Sequence, residues 1–180
     1  VSESGDLWVF AYGSLMWRPG FRFVEALPAR LSGYHRAFCL RSTLYRGTPT
    51  RPGLVLGLAP GGSCAGRAFR VAAGRRAKTM AYLARREIPE DVYRPTWVGV
   101  RLADGKRVRA LTYVANRAHV DFEGDLSPAR TAARIAHSAG RTGTNRDYLR
   151  NTVRHLDAMG VADGPLHRLL VLVEKKRAGG

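Results

Sequence analysis

The sequence predicts an α+β protein with a small, mainly antiparallel, barrel-like β-sheet and helices packed around it. Three observations carry that prediction. Strand-like runs separated by turn residues dominate the first two thirds of the 180-residue chain. A single stretch of helical period, residues 73–87, is inserted among them. Helical periods then close the chain.

Taken in order, WVFAY at residues 8–12 is apolar and aromatic and reads as a buried strand. It breaks at Gly13-Ser14 and returns at once to Leu15-Met16-Trp17. Such a break is either a plain turn or a place where backbone approaches something closely. Ala29 to Ser42 reads as extended structure with a bend at Gly33. Thr43 to Gly53 is a loop rich in Gly and Pro that contains Arg46 and Arg51. LVLGLAP and CAGRAFRV flank Pro60 to Ser63, a hairpin signal. Trp97 to Leu102 and Val108 to Ala115 read as strands paired about Asp104-Gly105, a favoured hairpin dipeptide. Helices are expected at 127–138, at 145–159 and from Gly164 to about Lys175. The first has Ser127-Pro128 in cap and first-turn positions.

Length and composition suit one domain spanning residues 1–180, with its core at about 7–175. The N-terminal VSESGDLWVF has no signal-peptide pattern, and the aliphatic run Leu169 to Val173 is far too short to cross a bilayer. The expected location is therefore the cytoplasm, with no membrane partner. Cys39 and Cys64 lie in apolar, strand-like surroundings and read as small buried hydrophobes. The histidines have no metal-type spacing, so no metal site is expected. The net charge of +16 would suit a nucleic-acid binder. Yet Lys78, Lys106, Lys175 and Lys176 are the only lysines, and the arginines spread through the whole chain. That distribution fits a compositional bias better than a binding stripe, so nucleic acid is not the expected partner.

The chemistry is more localised. The chain has no phosphate-binding glycine loop, and Gly61 to Ala65 fails as a nucleophile elbow because Ala65 replaces the final glycine. Ser14 has no base nearby in sequence. Met80, Leu83, Ala84 and Glu87 share one helical face, apolar until it ends in a carboxylate. Glu87 sits in the last helical turn before Pro89, where negative charge opposes the helix dipole by about 0.3–1 kcal/mol. The pattern alone leaves two readings of Glu87. It is a functional carboxylate, or it reaches solvent or pairs with Arg85 or Arg86. Glu90 and Asp91 read as solvated loop acids. In a third cluster, His137 to Asn151, glycines connect two helices, Thr144 or Asn145 can cap the second, and Tyr148 lies in its first turn.

Together these clusters carry a resemblance. YGSL at 12–15, Arg86-Glu87 followed by Tyr93 and Pro95, and the run from Gly140 to Leu149 resemble, in order and spacing, the ChaC family. Its members are glutathione-specific γ-glutamylcyclotransferases with a γ-glutamylcyclotransferase-like fold. The resemblance runs from about Leu7 to Lys175. It implies a small β-barrel with packed helices and a reaction converting glutathione to 5-oxoproline and Cys-Gly. The spacing from Glu87 to Tyr93 follows the longer form of the family motif, with Pro89-Glu90-Asp91 where a glycine is often found.

The resemblance also implies the roles. Glu87 is the catalytic acid/base, and Tyr12, Gly13, Ser14 and Leu15 hold the γ-glutamyl part of the substrate. Tyr93 belongs to the middle motif. Arg41 and Arg46 are expected to meet substrate carboxylates, with Asn145 and Tyr148 as further contacts. The nucleophile is the substrate's own α-amine, so no cofactor is expected. The partner is the small molecule glutathione, and the protein is expected to be a monomer. Two other readings compete: a cyclotransferase for another γ-glutamyl amide or peptide, and a non-catalytic basic module binding nucleic acid.

Overall fold

Two long strands do most of the work of building the sheet. The computed structural model describes residues 5–87, 91–124 and 126–178. In chain order the elements are β1 (Leu7–Ala11), β2 (Glu25–Ser42), β3 (Gly53–Val71), α1 (Arg76–Glu87), β4 (Tyr93–Leu102) and β5 (Arg107–Ala115). There follow α2 (Pro128–His137), β6 (Ala139–Gly140), β7 (Gly143–Thr144), α3 (Asn145–Ala158) and α4 (Gly164–Ala178). The first five strands close into a barrel in the order β1-β3-β2-β4-β5. The β1–β3, β2–β4 and β4–β5 pairs are antiparallel, and the barrel closes through a parallel β1–β5 pair that sets Val9 opposite Leu111. Closure leaves these strands no open sheet edge. The α+β barrel expectation is met.

The chain divides into two compact units. One comprises Val1–Arg36 and Leu58–Asn116, the other Ala37–Gly57 and Arg117–Gly180. In the first, Leu7, Val9, Phe10, Leu58, Phe69 and Leu111 are essentially removed from solvent. Burying each such side chain contributes about 1.5–3 kcal/mol. Helix α1 lies against this core through Leu83 and Thr79. Its Tyr82 meets Phe21 edge-on, and Phe21 meets Phe69 in the same way. The hairpin at Asp104-Gly105 forms as expected: Gly105 has φ +87°, and Leu102 N–H donates to Lys106 O at 2.8 Å.

Pro60–Ser63 is not a hairpin. Gly61 and Gly62 adopt positive φ values of 96° and 68°, but β3 continues through them. The glycines bend and twist the strand around the barrel without reversing it. Arg30 holds the outside of this bend, donating to Ser63 Oγ at 3.0 Å.

In the second unit α2 packs on α3 and α4, burying Ile135, Leu149, Leu156 and Val173 completely. Ser127 caps α2 by accepting from Arg130 N–H, and Thr144 caps α3 by accepting from Asp147 N–H. Between α2 and α3 the chain pairs β6 with β7, a ribbon too short to leave a strand pattern in the sequence. Cys39 and Cys64 are both buried. No helix among the described residues is long and apolar enough to cross a membrane.

Candidate active site

The break after β1 is a built turn. Ser14–Met16 form a single turn of 3-10 helix, with Met16 N–H donating to Gly13 O at 2.9 Å and Arg18 N–H donating to Ser14 O at 2.8 Å. Leu15 and Met16 are buried, so the apolar return in the sequence anchors this backbone to the core. Tyr12 is buried as well, and its hydroxyl donates to the backbone carbonyl of Tyr113 at 2.8 Å.

Helix α1 brings Arg86 to the same place. One amino group of its guanidinium donates to Ser14 Oγ at 3.1 Å. The other donates to Arg18 O at 2.6 Å and to the Tyr82 hydroxyl at 3.0 Å. The Nε of the same group lies 3.1 Å from Glu87 Oε1. Loop and carboxylate are therefore joined by one planar cation. Ser14 consequently faces a permanent donor that cannot take its proton, which argues against a serine nucleophile.

Glu87 ends α1, as its position before Pro89 predicts, with its side chain 17% exposed. Burial pushes its carboxyl above the ordinary value, and the Arg86 charge and hydrogen bond pull it back only in part. Of the expected apolar face, Leu83 is buried and Met80 half-buried, but Ala84 faces solvent. Thr79 takes its place: the face is centred between 79 and 83, and residue 84 rotates off it. Glu87 pairs with Arg86, as the second reading has it, and is desolvated at the same time.

Sequence reasoning missed Tyr113. It lies in β5, and its phenol is pushed up to about 12 by burial and then by the negative charge of Glu87. Nothing local marks it, because only strand register and the docking of α1 bring it to the carboxylate. Tyr93 opens β4 opposite Ala115. Asp91 is not simply solvated: Asn116 donates to its carbonyl at 2.9 Å and to its carboxylate at 3.2 Å. Glu90 lies outside the described residues, as do Ile88 and Pro89.

In the second unit Arg46 lies over the Tyr148 ring, 5.0 Å from its centroid, and donates to Thr142 O at 2.9 Å. Arg41 is held elsewhere, with Nε 2.9 Å from Asp121 Oδ1. Asn145 is fully buried, and its amide is spent on Leu54. The side-chain oxygen accepts from Leu54 N–H at 2.7 Å and the NH₂ donates to Leu54 O at 2.8 Å. That commitment makes Asn145 a strut for the β3 start. Asn145→Ala would orphan two buried backbone groups, each costing about 1–3 kcal/mol. A loss of roughly 2–6 kcal/mol in urea unfolding is the expected result, and a loss near zero would remove the strut.

A closed barrel thus carries a tight glycine-containing loop tied through Arg86 to a desolvated carboxylate, a group suited to acid/base chemistry. The comparisons make this specific: the chain belongs to the ChaC family, whose ChaC-like protein model matches residues 7–176. The chain is 39% identical over 173 residues to the glutathione-specific γ-glutamylcyclotransferase of Escherichia coli K12, covering 96% of this chain and 75% of that protein. It is 32% identical to the enzyme of the same name from Schizosaccharomyces pombe, covering 87% of each. The crystal structure of a γ-glutamylcyclotransferase specific to glutathione from yeast superposes with a TM-score of 0.83 at 25% identity, covering 95% of this chain and 96% of that one.

Proposed function

We propose that the protein is a glutathione-specific γ-glutamylcyclotransferase with Glu87 as its acid/base. The observation that carries this reading is the single Arg86 guanidinium holding both the Glu87 carboxylate and the Ser14 loop. Glutathione folds so that its α-amine meets its own γ-carbonyl, and pre-orientation of that kind is worth up to about 7–11 kcal/mol. Glu87 accepts a proton from the substrate ammonium. The freed amine attacks the γ-carbonyl carbon, closing a five-membered ring, and backbone N–H groups of residues 13–15 receive the developing oxyanion. The C–N bond to the cysteine then breaks as Glu87 returns its proton to the departing nitrogen, and the second proton shed by the ring nitrogen passes to the same amine, so that a neutral lactam and the Cys-Gly ammonium are left. No water is consumed. The steps are proton transfers and one acyl transfer, so the reading includes no cofactor.

The raised proton affinity of Glu87 serves both halves, since an ordinary carboxylate would be too weak a base and too reluctant to hold the proton. Tyr113 stays protonated beside it, leaving Glu87 as the titrating member of the pair. For the second unit, Arg46 with Tyr148 is preferred over Arg41 as a carboxylate-binding pair, because Asp121 already answers the charge of Arg41. The reading also takes in a single functional domain, a monomer and a cytoplasmic location. Incubating the protein with reduced glutathione should release equal amounts of 5-oxoproline and Cys-Gly, quantified by liquid chromatography. Faster turnover of γ-glutamyl amino acids would transfer the assignment to another γ-glutamyl substrate. No product from either at high enzyme concentration would refute it.

A further inference from the structure

Arg36 is a charged side chain in the core, 5% exposed. Its inward direction comes from β2 itself. Ala29 and Leu31 are buried before Gly33, whereas Arg36, Phe38 and Leu40 are buried after it. The inward positions change parity across Gly33, whose φ of +89° marks a bulge that any side chain would strain. Without that bulge the alternation would turn residue 36 the other way.

A guanidinium is a permanent cation, and burying one costs several kcal/mol unless fixed acceptors meet it. Here the acceptors are backbone carbonyls. Nε donates to Tyr12 O at 2.6 Å and a terminal nitrogen donates to Ala65 O at 2.6 Å. Both are short, charge-assisted bonds. A hydrophobic residue of similar volume would fill the same space at less electrostatic cost. Packing alone therefore gives no reason for arginine at this position.

The carbonyl that Arg36 grips supplies a reason. Tyr12 C=O and Gly13 N–H belong to one planar trans peptide and point in opposite directions. Fixing the oxygen from inside the barrel fixes the direction of the Gly13 N–H on the other side. A charged donor on the oxygen also polarises the amide and strengthens its N–H as a donor. The Tyr12 hydroxyl bond to Tyr113 O holds the same residue by its other end.

We propose that Arg36 is a positioning residue for the cyclisation, orienting and polarising the Tyr12–Gly13 peptide so that Gly13 N–H stabilises the tetrahedral oxyanion. The proposal rests on the γ-glutamylcyclotransferase reading. It is tested with wild type, Arg36→Lys and Arg36→Met, each followed by glutathione turnover, circular dichroism and the amide proton shift of Gly13 in ¹⁵N-labelled protein. Loss of one oxyanion donor lowers kcat by about 10²–10³-fold. Arg36→Met should show that fall in kcat, with KM changed less than about threefold. Arg36→Lys, which keeps the charge but not the two-pronged grip, should fall in between. The Gly13 amide proton should move upfield in both. A variant with native circular dichroism and wild-type kcat overturns the role of Arg36 and leaves the cyclotransferase reading standing. If Arg36→Met fails to fold, Arg36→Lys decides on the same criteria. Wild-type protein that yields no 5-oxoproline refutes the underlying reading, and the positioning role falls with it.

Discussion

Glu87→Gln should lower 5-oxoproline formation from glutathione by about 10²–10⁴-fold, the range that a general acid/base contributes, and should do so without destabilising the protein at neutral pH. Glutamine retains an oxygen to accept from Arg86 Nε, which lies 3.1 Å from the native carboxylate. It cannot accept a proton from the substrate ammonium and so has none to return to Cys-Gly. The stability half follows from the direction of the shift. Burial raises the folded-state affinity of Glu87 for its proton, outweighing the opposing effect of Arg86. A group raised in this way costs nothing below its unfolded pKa, where both states are protonated. As pH rises past the unfolded value, the unfolded chain ionises first and stability is lost until the folded carboxyl ionises too. Glutamine never ionises and escapes that loss. Thermal melts should therefore coincide at about pH 3.5 and show the variant equal or higher at about pH 7. A variant that keeps turning over glutathione would remove Glu87 from the chemistry. One that melts lower only at neutral pH would reverse the sign assigned to its burial.

The cost that Glu87 imposes on its own helix is legible in the chain. The carboxylate at the end of an apolar helical face, in the last turn and just before proline, singles out Glu87 without any structure but leaves its functional and paired readings open. The Gly13-Ser14 break stands out as well, because glycine inside an apolar run has few uses besides a turn or a close approach. Strands and helices whose periods are local were legible for the same reason. What could not be read is whatever depends on register. Gly33 looks like a bend, but its effect, turning Arg36 into the core, appears only when inward positions are compared on either side of it. Gly61-Gly62 carries the dipeptide chemistry of a hairpin, and the neighbouring strands decide that it is a bend within β3. Tyr113 and Glu87 lie far apart in sequence and meet through the docking of α1, which no window of sequence contains. Asn145 could be read as a cap or a contact, whereas its bonds to Leu54 need the fold to be seen.

Arg86 is where these threads meet, and replacing it separates its two duties. Its charge and hydrogen bond pull the Glu87 carboxyl down against burial. Its other bonds hold Ser14 Oγ, Arg18 O, Pro19 O and the Tyr82 hydroxyl. Arg86→Gln removes the charge, so desolvation alone acts on Glu87 and the acid limb of kcat/KM moves to higher pH. The loop loses its clamp in the same variant. Hydrogen bonds to charged groups contribute about 1.5–3 kcal/mol, so kcat/KM at neutral pH should fall by roughly 10–100-fold. Arg86→Lys keeps a cation beside Glu87 but cannot reach the carboxylate, Ser14 and two carbonyls at once. Its acid limb should stay near that of wild type while KM rises. A limb that moves equally in both variants would mean that the planar grip, and not the charge, sets the affinity of Glu87 for its proton. A limb that moves in neither would sever Arg86 from the acid/base step and leave it as a brace for the loop.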